Sequence, residues 1–190
     1  MRRFDKCPRC GAKMVKSIAI NEKESEYWYQ CTKCNTYVNS YIPQPPQMEF
    51  HKDPHKFKAN FVGYGSGKTT VDRQEIYKHI FLTPNANILI GANVSSQYEQ
   101  TIKRDIEADF PKDLVAKYNV QKQYIDFFNG ARLLYRPLDD VNKLRSYNLS
   151  MFLVIEGSEV DPEAFAQLKT RSRNMVAAKQ MLNDKGEPMY

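Results

Sequence analysis

From Asn60 onward the chain alternates short apolar runs with longer amphipathic ones, the rhythm of an α/β domain built on a largely parallel sheet. Residues 59–62 read as a strand entering a glycine-rich stretch. Residues 69–82 read as a helix with Val71, Ile76, Ile80 and Phe81 available for packing. A second strand is expected at 87–92. Ser95 or Ser96 then offers an N-cap for a helix whose Tyr98, Ile102, Ile106 and Phe110 share one face, with Lys103, Arg104, Asp105 and Glu107 on the solvated side. Residues 124–128 and 131–136 flank Asn129-Gly130, a pair that supplies the positive φ angles of a two-residue hairpin turn. The unbroken apolar run 151–155 is too short for a helix and suits a strand buried on both faces, ending on Glu156. Asp161 or Pro162 opens a final helix to about Arg173, and the last residues look frayed.

The first part of the chain has a different character. The unit from Cys7 to Cys34 is followed by a polar and aromatic stretch and then Pro43, Pro45 and Pro46, which continue neither a helix nor a central strand. A boundary there divides the chain into a small module, 1–42, and a domain, 43–190. At 190 residues and 42% hydrophobic content there is ample material for one core beside a small module. The net charge of +6 suits a nucleic-acid partner without requiring one, since Lys/Arg runs are absent beyond Arg2-Arg3. No apolar stretch approaches the ~18–20 residues that cross a bilayer, and no signal peptide opens the chain, so an intracellular protein is expected.

The four cysteines stand as Cys7-Pro8-Arg9-Cys10 and Cys31-Thr32-Lys33-Cys34, twenty residues apart. That is the spacing of a four-cysteine zinc ribbon, in which two knuckles present thiolates tetrahedrally. Strands carrying Ile18, Ile20, Tyr27, Trp28 and Tyr29 are too small to hold together without metal. With all four ligand positions filled, such a zinc ion is structural. Aromatic residues among Lys13, Lys16 and Lys33 serve either a tiny core or contact with DNA or a protein.

Val62-Gly63-Tyr64-Gly65-Ser66-Gly67-Lys68-Thr69 lies between the expected strand and helix, the context of a phosphate-binding P-loop. The glycines let consecutive backbone N–H groups face one oxyanion. Lys68 reaches the outer phosphates, Thr69 offers its hydroxyl to Mg²⁺, and the helix start adds a favourable dipole. Val62 stands where the usual pattern has its first glycine. An acid at the end of a neighbouring strand completes the Mg²⁺ site, and Glu156 is placed for it. The following position, where many ATPases carry the base that activates water, is Gly157. Glu159 is the nearest substitute, or else an ordinary acid near a helix start.

These residues in this order resemble the large subunits of viral DNA-packaging terminases, over roughly 45–174. The resemblance implies an additional-strand, RecA-like P-loop ATPase with a mostly parallel sheet flanked by helices. Pro45-Pro46-Gln47-Met48-Glu49-Phe50-His51 is similar to the adenine-recognition segment, which assigns Gln47 to the base. Gly63 through Thr70 (Gly63, Tyr64, Gly65, Ser66, Gly67, Lys68, Thr69, Thr70) resembles the P-loop. Phe128 to Arg132, Tyr135 to Asp140 and Lys143 to Ser146 are similar to the hairpin and loop before the second acidic motif, which Val154 to Val160 resembles. Phe165, Leu168, Arg171 and Arg173 resemble the helix behind that motif. Tyr64 replaces an arginine common in the family, so a cation must come from elsewhere. The resemblance points to Arg145, offered to a neighbouring subunit, with Arg132 and Arg136 as competitors and a structural or DNA-contacting role as the alternative.

The resemblance implies ATP and Mg²⁺ as ligands beside the structural Zn²⁺, and a motor that moves double-stranded DNA. Its implied partners are the portal, the small terminase subunit and further copies in a ring, in the host cytoplasm at the procapsid portal vertex. Family members continue into a coupling motif and an RNase H-like nuclease. Neither is found in these residues, so an N-terminal fragment or an unusually short member is expected. A nucleotide-binding module with weak hydrolysis, or another translocase, is the competing reading.

Overall fold

The computed structural model describes residues 7, 10–21, 26–34, 37–39, 41, 43–63 and 65–173. Tyr64, the side chains of Ile18, Ile20, Tyr27 and Trp28, and the expected frayed end lie outside the described residues.

Near the N-terminus β1 (Met14–Asn21), β2 (Glu26–Cys31) and β3 (Tyr37–Asn39) form an antiparallel sheet in that order. Next come α1 (Pro45–Lys52) and α2 (Lys68–Leu82). Pro45 and Pro46 do not interrupt α1 but open it, because a missing N–H costs nothing in a helix's first turn.

A second, five-stranded sheet holds β4 (Asn87–Ala92), β5 (Val115–Asn119), β6 (Tyr124–Phe127), β7 (Arg132–Pro137) and β8 (Met151–Val154) in the order β5-β6-β7-β4-β8. β7, β4 and β8 are parallel, while β5, β6 and β7 are antiparallel. The sheet is therefore mixed rather than mostly parallel. β5 has no counterpart in the sequence reading because three of its five residues are exposed and leave little hydrophobic pattern.

β4 shows why its sequence is apolar without a break. Ile88, Ile90 and Ala92 enter one core, and Leu89 enters the other across the sheet. The first core packs Ile76, Tyr77 and Ile80 of α2 with Tyr98, Ile102, Ile106 and Phe110, the face expected from their spacing. The second gathers Leu138, Leu144 and Leu149 with Val160, Ala164 and Leu168, the last two from α6 (Pro162–Arg171). Asp161 caps α6 by accepting the Glu163 N–H. Each fully buried Ile or Leu contributes on the order of 1.5–3 kcal/mol, so β4 anchors both layers.

Four local expectations are corrected. Residues 59–62 form no strand: they pair with nothing among the described residues, and Phe61 is 93% exposed. An apolar pattern becomes a strand only where a neighbour supplies the ladder. The helix after β4 is not capped by Ser95 or Ser96; its N-cap is Val94, whose N–H donates to Gln97 Oε1 at 3.2 Å. That helix is α3 (Ser95–Tyr98), a wide π turn (Glu99–Lys103) kinked at Thr101, and α4 (Arg104–Asp109). The hairpin between β6 and β7 turns through three residues rather than two. Gly130 donates to the Phe127 carbonyl and alone in the turn takes a positive φ, +82°, as a type I turn closed by a bulge requires. β8, finally, is half-buried along its length because it forms an edge of the sheet. The polar stretch before it contains a short helix, α5 (Val141–Leu144).

Candidate functional site

The glycine-rich loop leads directly into α2. Gly67 is the N-cap at φ +80°, a left-handed conformation, and a Cβ there would come within 2.8 Å of Gln47 Nε2. Ser66 Oγ donates to the Gly63 carbonyl at 2.8 Å and folds the loop back on itself. Lys68, Thr69 and Thr70 form the first turn of α2, half-buried, with no side-chain cap on the helix start. Intrahelical bonding begins with the Val71 N–H on the Gly67 carbonyl, so the preceding amides are the ones a bound anion would meet.

Gln47, in the first turn of α1, is brought against this loop. Its Nε2 donates to the Ser66 carbonyl at 3.4 Å, while its Oε1 accepts from the Gln44 N–H and the Tyr41 hydroxyl. Tyr41 lies 3.1 Å from His51 Nε2, and His51 Nδ1 meets Glu75 Oε1 at 2.5 Å on α2. Lys58 and Lys78 approach the same carboxylate at 3.3 and 3.2 Å. A continuous polar chain thus ties the residue beside the loop to the helix that follows the loop. Burial would raise the Glu75 carboxyl, but the His51 hydrogen bond and the two lysines outweigh it and bring it down to about 2. Burial and then Glu75 push the Tyr41 hydroxyl up to about 12. One turn after Lys68, burial and repulsion from Glu75 raise Asp72 to about 7 against the pull of Lys68.

The sequence reading missed Glu75, His51 and Tyr41 as a unit. A signal was present: Glu75 and His79 follow the buried Val71 at four-residue steps, so polar side chains sit on the packing stripe. His79 Nε2 lies 3.0 Å from Ser150 Oγ, immediately before β8, and burial drives its imidazole down to about 4.

This contact orients the site. α2 reaches the start of β8 at His79 and turns into β4, parallel to β8, within four residues. Lys68 lies eleven residues back along the helix, roughly 16 Å toward the other end of the strands. That is the end at which β8 delivers Glu156, held there by the Ile155 N–H on the Gly91 carbonyl. Glu156 is exposed and left-handed, φ +48°, and opens a 3-10 turn that brings Glu159 close, with the Glu159 N–H on its carbonyl. Glu159 Oε2 accepts from Gln97 Nε2 at 2.6 Å, and the same Gln97 holds the Val94 amide. Among the described residues no hydrogen bond or ion pair joins Glu156 to Lys68 or Thr69.

The three candidate arginines separate clearly. Arg132 makes a two-pronged contact with Asp126, and Arg136 is bonded to the Tyr147 hydroxyl and to the Lys122 and Gln123 carbonyls. Arg145 is exposed and lies before β8, away from the end that carries Glu156.

The cysteines converge as expected. All four Sγ atoms lie within 4.8 Å of one another, with Cys7–Cys34 and Cys10–Cys31 at 3.5 Å. Thiolates about 2.3 Å from a tetrahedral zinc have comparable separations, so the residues fit the ion. The Lys33 and Cys34 N–H groups both point at Cys31 Sγ at 3.4 Å, the arrangement of a metal knuckle. Burial would raise the Cys31 thiol, but those amides and the neighbouring thiols bring it to about 6.

A mixed α/β domain with a glycine loop capping a helix, and acids beyond a parallel strand, is the class this geometry defines. The model of the phage terminase large subunit family matches residues 54–185, more than half of the chain. The chain belongs to that family of phage DNA-packaging proteins. Gln47 and the four cysteines lie outside the matched segment. A search of curated proteins gives no match. No helix among the described residues is long and apolar enough to cross a membrane.

Proposed function

We propose that the chain carries the ATPase motor of a packaging terminase, with a zinc ribbon at 1–42 and a P-loop ATPase domain at 43–190. The single observation that supports this most is the contact between Gln47 and the loop. Two segments that resemblance assigned separately to base and phosphates meet at Ser66, although only the loop falls within the family match.

In this reading the backbone of Gly63, Tyr64, Gly65, Ser66 and Gly67 and the first turn of α2 cradle the triphosphate. Lys68 neutralises its outer charge, Thr70 borders it, and Gln47 reads adenine. Thr69 and Glu156 hold Mg²⁺, which supplies charge neutralisation at the transferring phosphate. Glu159, fixed by Gln97, orients and deprotonates the attacking water in place of the residue that Gly157 replaces. Arg145 serves a neighbouring copy's phosphate, since Arg132 and Arg136 are already engaged. The working assembly is a homo-oligomeric ring on double-stranded DNA, with the portal and the small terminase subunit as partners, in the host cytoplasm at the procapsid. Cys7, Cys10, Cys31 and Cys34 hold structural zinc.

Lys68→Ala should abolish phosphate release measured with duplex DNA; turnover equal to wild type would refute the ATPase assignment. Gly157 favours a second reading, a module that binds nucleotide and hydrolyses it weakly. Wild-type phosphate release that stays at background with and without DNA, despite tight nucleotide binding, would select it.

A further inference from the structure

An open cleft of about 570 Å³ lies at the end of the parallel strands remote from Glu156, lined by Arg145, Ser146, Tyr147, Asn148, Arg171 and Arg173. It is built where the segment before β8 runs beside the end of α6, through the Leu149–Ser172 bridge. Three guanidiniums share it, and none meets a carboxylate among the described residues. Arg171 Nε is buried and has no acceptor there, a donor left over after folding. Arg173 Nε donates to the Thr170 carbonyl, which fixes the group's stem. Lys56, with its ammonium on the Ser172 carbonyl at 2.8 Å, and Lys169 beside Phe57 extend the basic surface.

Arg145 and Arg173 are exposed and solvated, but the buried Arg171 Nε lacks an acceptor, and an anion would satisfy it while drawing on the charge of its neighbours. Guanidinium forks match phosphate oxygens in two-pronged fashion. Tyr147 is the one aromatic side chain of the lining, and its hydroxyl accepts from Arg136, which holds it in place beside the guanidiniums. The lysines that carry the basic surface beyond the cleft favour an extended polyanion, a phosphodiester backbone, over a single free phosphate.

We propose that this cleft is a phosphodiester site in which Arg171 and Arg173 grip the sugar–phosphate backbone of duplex DNA, while Arg145 at its rim remains for the neighbouring copy. The identity of the polymer rests on the packaging reading above; the site does not depend on nucleotide turnover. It holds DNA independently of sequence, as a translocating protein requires.

The test is the anisotropy of a labelled 20-base-pair duplex titrated with the full chain between roughly 50 and 200 mM salt. Wild type, Arg171→Ala/Arg173→Ala and Arg171→Lys/Arg173→Lys are compared, with Mg–ATP binding measured on each. The alanine pair should flatten the log–log salt slope by about 2 and weaken binding about tenfold or more at ~0.1 M salt. The lysine pair should keep most of the slope, and Mg–ATP affinity should be unchanged in both. An unaltered slope in the alanine pair, with wild type binding DNA, overturns this site alone. So does a loss of Mg–ATP affinity with DNA binding intact, which would make the cleft a nucleotide site. Wild type that fails to bind DNA overturns both this site and the DNA-motor reading.

Discussion

Glu75→Gln removes the charge on which the polar chain between α1 and α2 converges. In the folded protein that carboxylate titrates near 2, against about 4.5 for an ordinary glutamate. The folded value is depressed, so the stabilisation is fully present above pH ~4.5 and is lost as pH falls through ~2. A difference of about 2.5 units corresponds to ~3 kcal/mol, and the side chain is only 11% exposed, so little of this is screened away. Loss of one partner from a buried charged cluster costs about 3–5 kcal/mol in other proteins, which agrees in scale. Glutamine would keep the shape but leave Lys58 and Lys78 facing each other without their anion. Urea unfolding of wild type and variant should therefore differ by ~3 kcal/mol at pH 7, with the gap closing as pH drops from about 4.5 toward 2. The same substitution should loosen α1 and weaken the preference for adenine over guanine nucleotides, because Gln47 is held through Tyr41 and His51. A variant within ~0.5 kcal/mol of wild type at pH 7, or a gap independent of pH, would refute this account of the cluster.

Asp72 carries the opposite sign. Its folded value near 7 lies above the ordinary 3.8, so its contribution is present below pH ~3.8 and lost as pH rises through ~7. Asp72→Asn should then raise Tm at pH 8 by at least ~3 °C and much less at pH 5; equal shifts would show that the carboxylate is not paying for its burial. For the cysteines, elemental analysis should find one zinc per chain, lost in Cys31→Ser, and chelation should unfold β1 to β3 while sparing α2; a metal-free folded ribbon would contradict this. Zinc should also be released on acidification as the thiolates protonate. Glu159→Gln should lower the maximal turnover rate at least tenfold with nucleotide affinity kept, and Gln97→Ala, which frees that carboxylate, should reduce it less. A turnover rate unchanged in Glu159→Gln would return that residue to an ordinary surface role.

The parts legible in the sequence are those fixed by local pattern. β4 lies at 87–92 as read, because burial on both faces makes it apolar at every step. The Asn129-Gly130 signal located the hairpin, but only Gly130 takes a positive φ, so the turn gains a residue. Residues 59–62 carry a strand-like pattern without a partner edge, and no local pattern reports whether a partner exists. The site divides similarly. The four cysteines declare themselves by spacing, and the loop by glycines before a helix. The meeting of Gln47 with Ser66, the convergence of Tyr41, His51, Lys58 and Lys78 on Glu75, and the union of Arg145 with Arg171 and Arg173 arise only from chain folding. Gln47–Ser66, His51–Glu75 and Lys58–Glu75 are 19, 24 and 17 residues apart, beyond the reach of any periodicity, whereas Lys78 lies one helical turn from Glu75.

The central claim is that Gln47, the loop from Gly63 to Thr70 and the start of α2 form one nucleotide site. Titration calorimetry of the full chain with Mg²⁺ and a slowly hydrolysed ATP analogue tests it most directly. The account predicts one site per chain, loss of binding in Lys68→Ala, and in Gln47→Ala a weakened affinity with discrimination against the guanine analogue erased. Binding unchanged in Lys68→Ala, or no binding by the wild type, would contradict it.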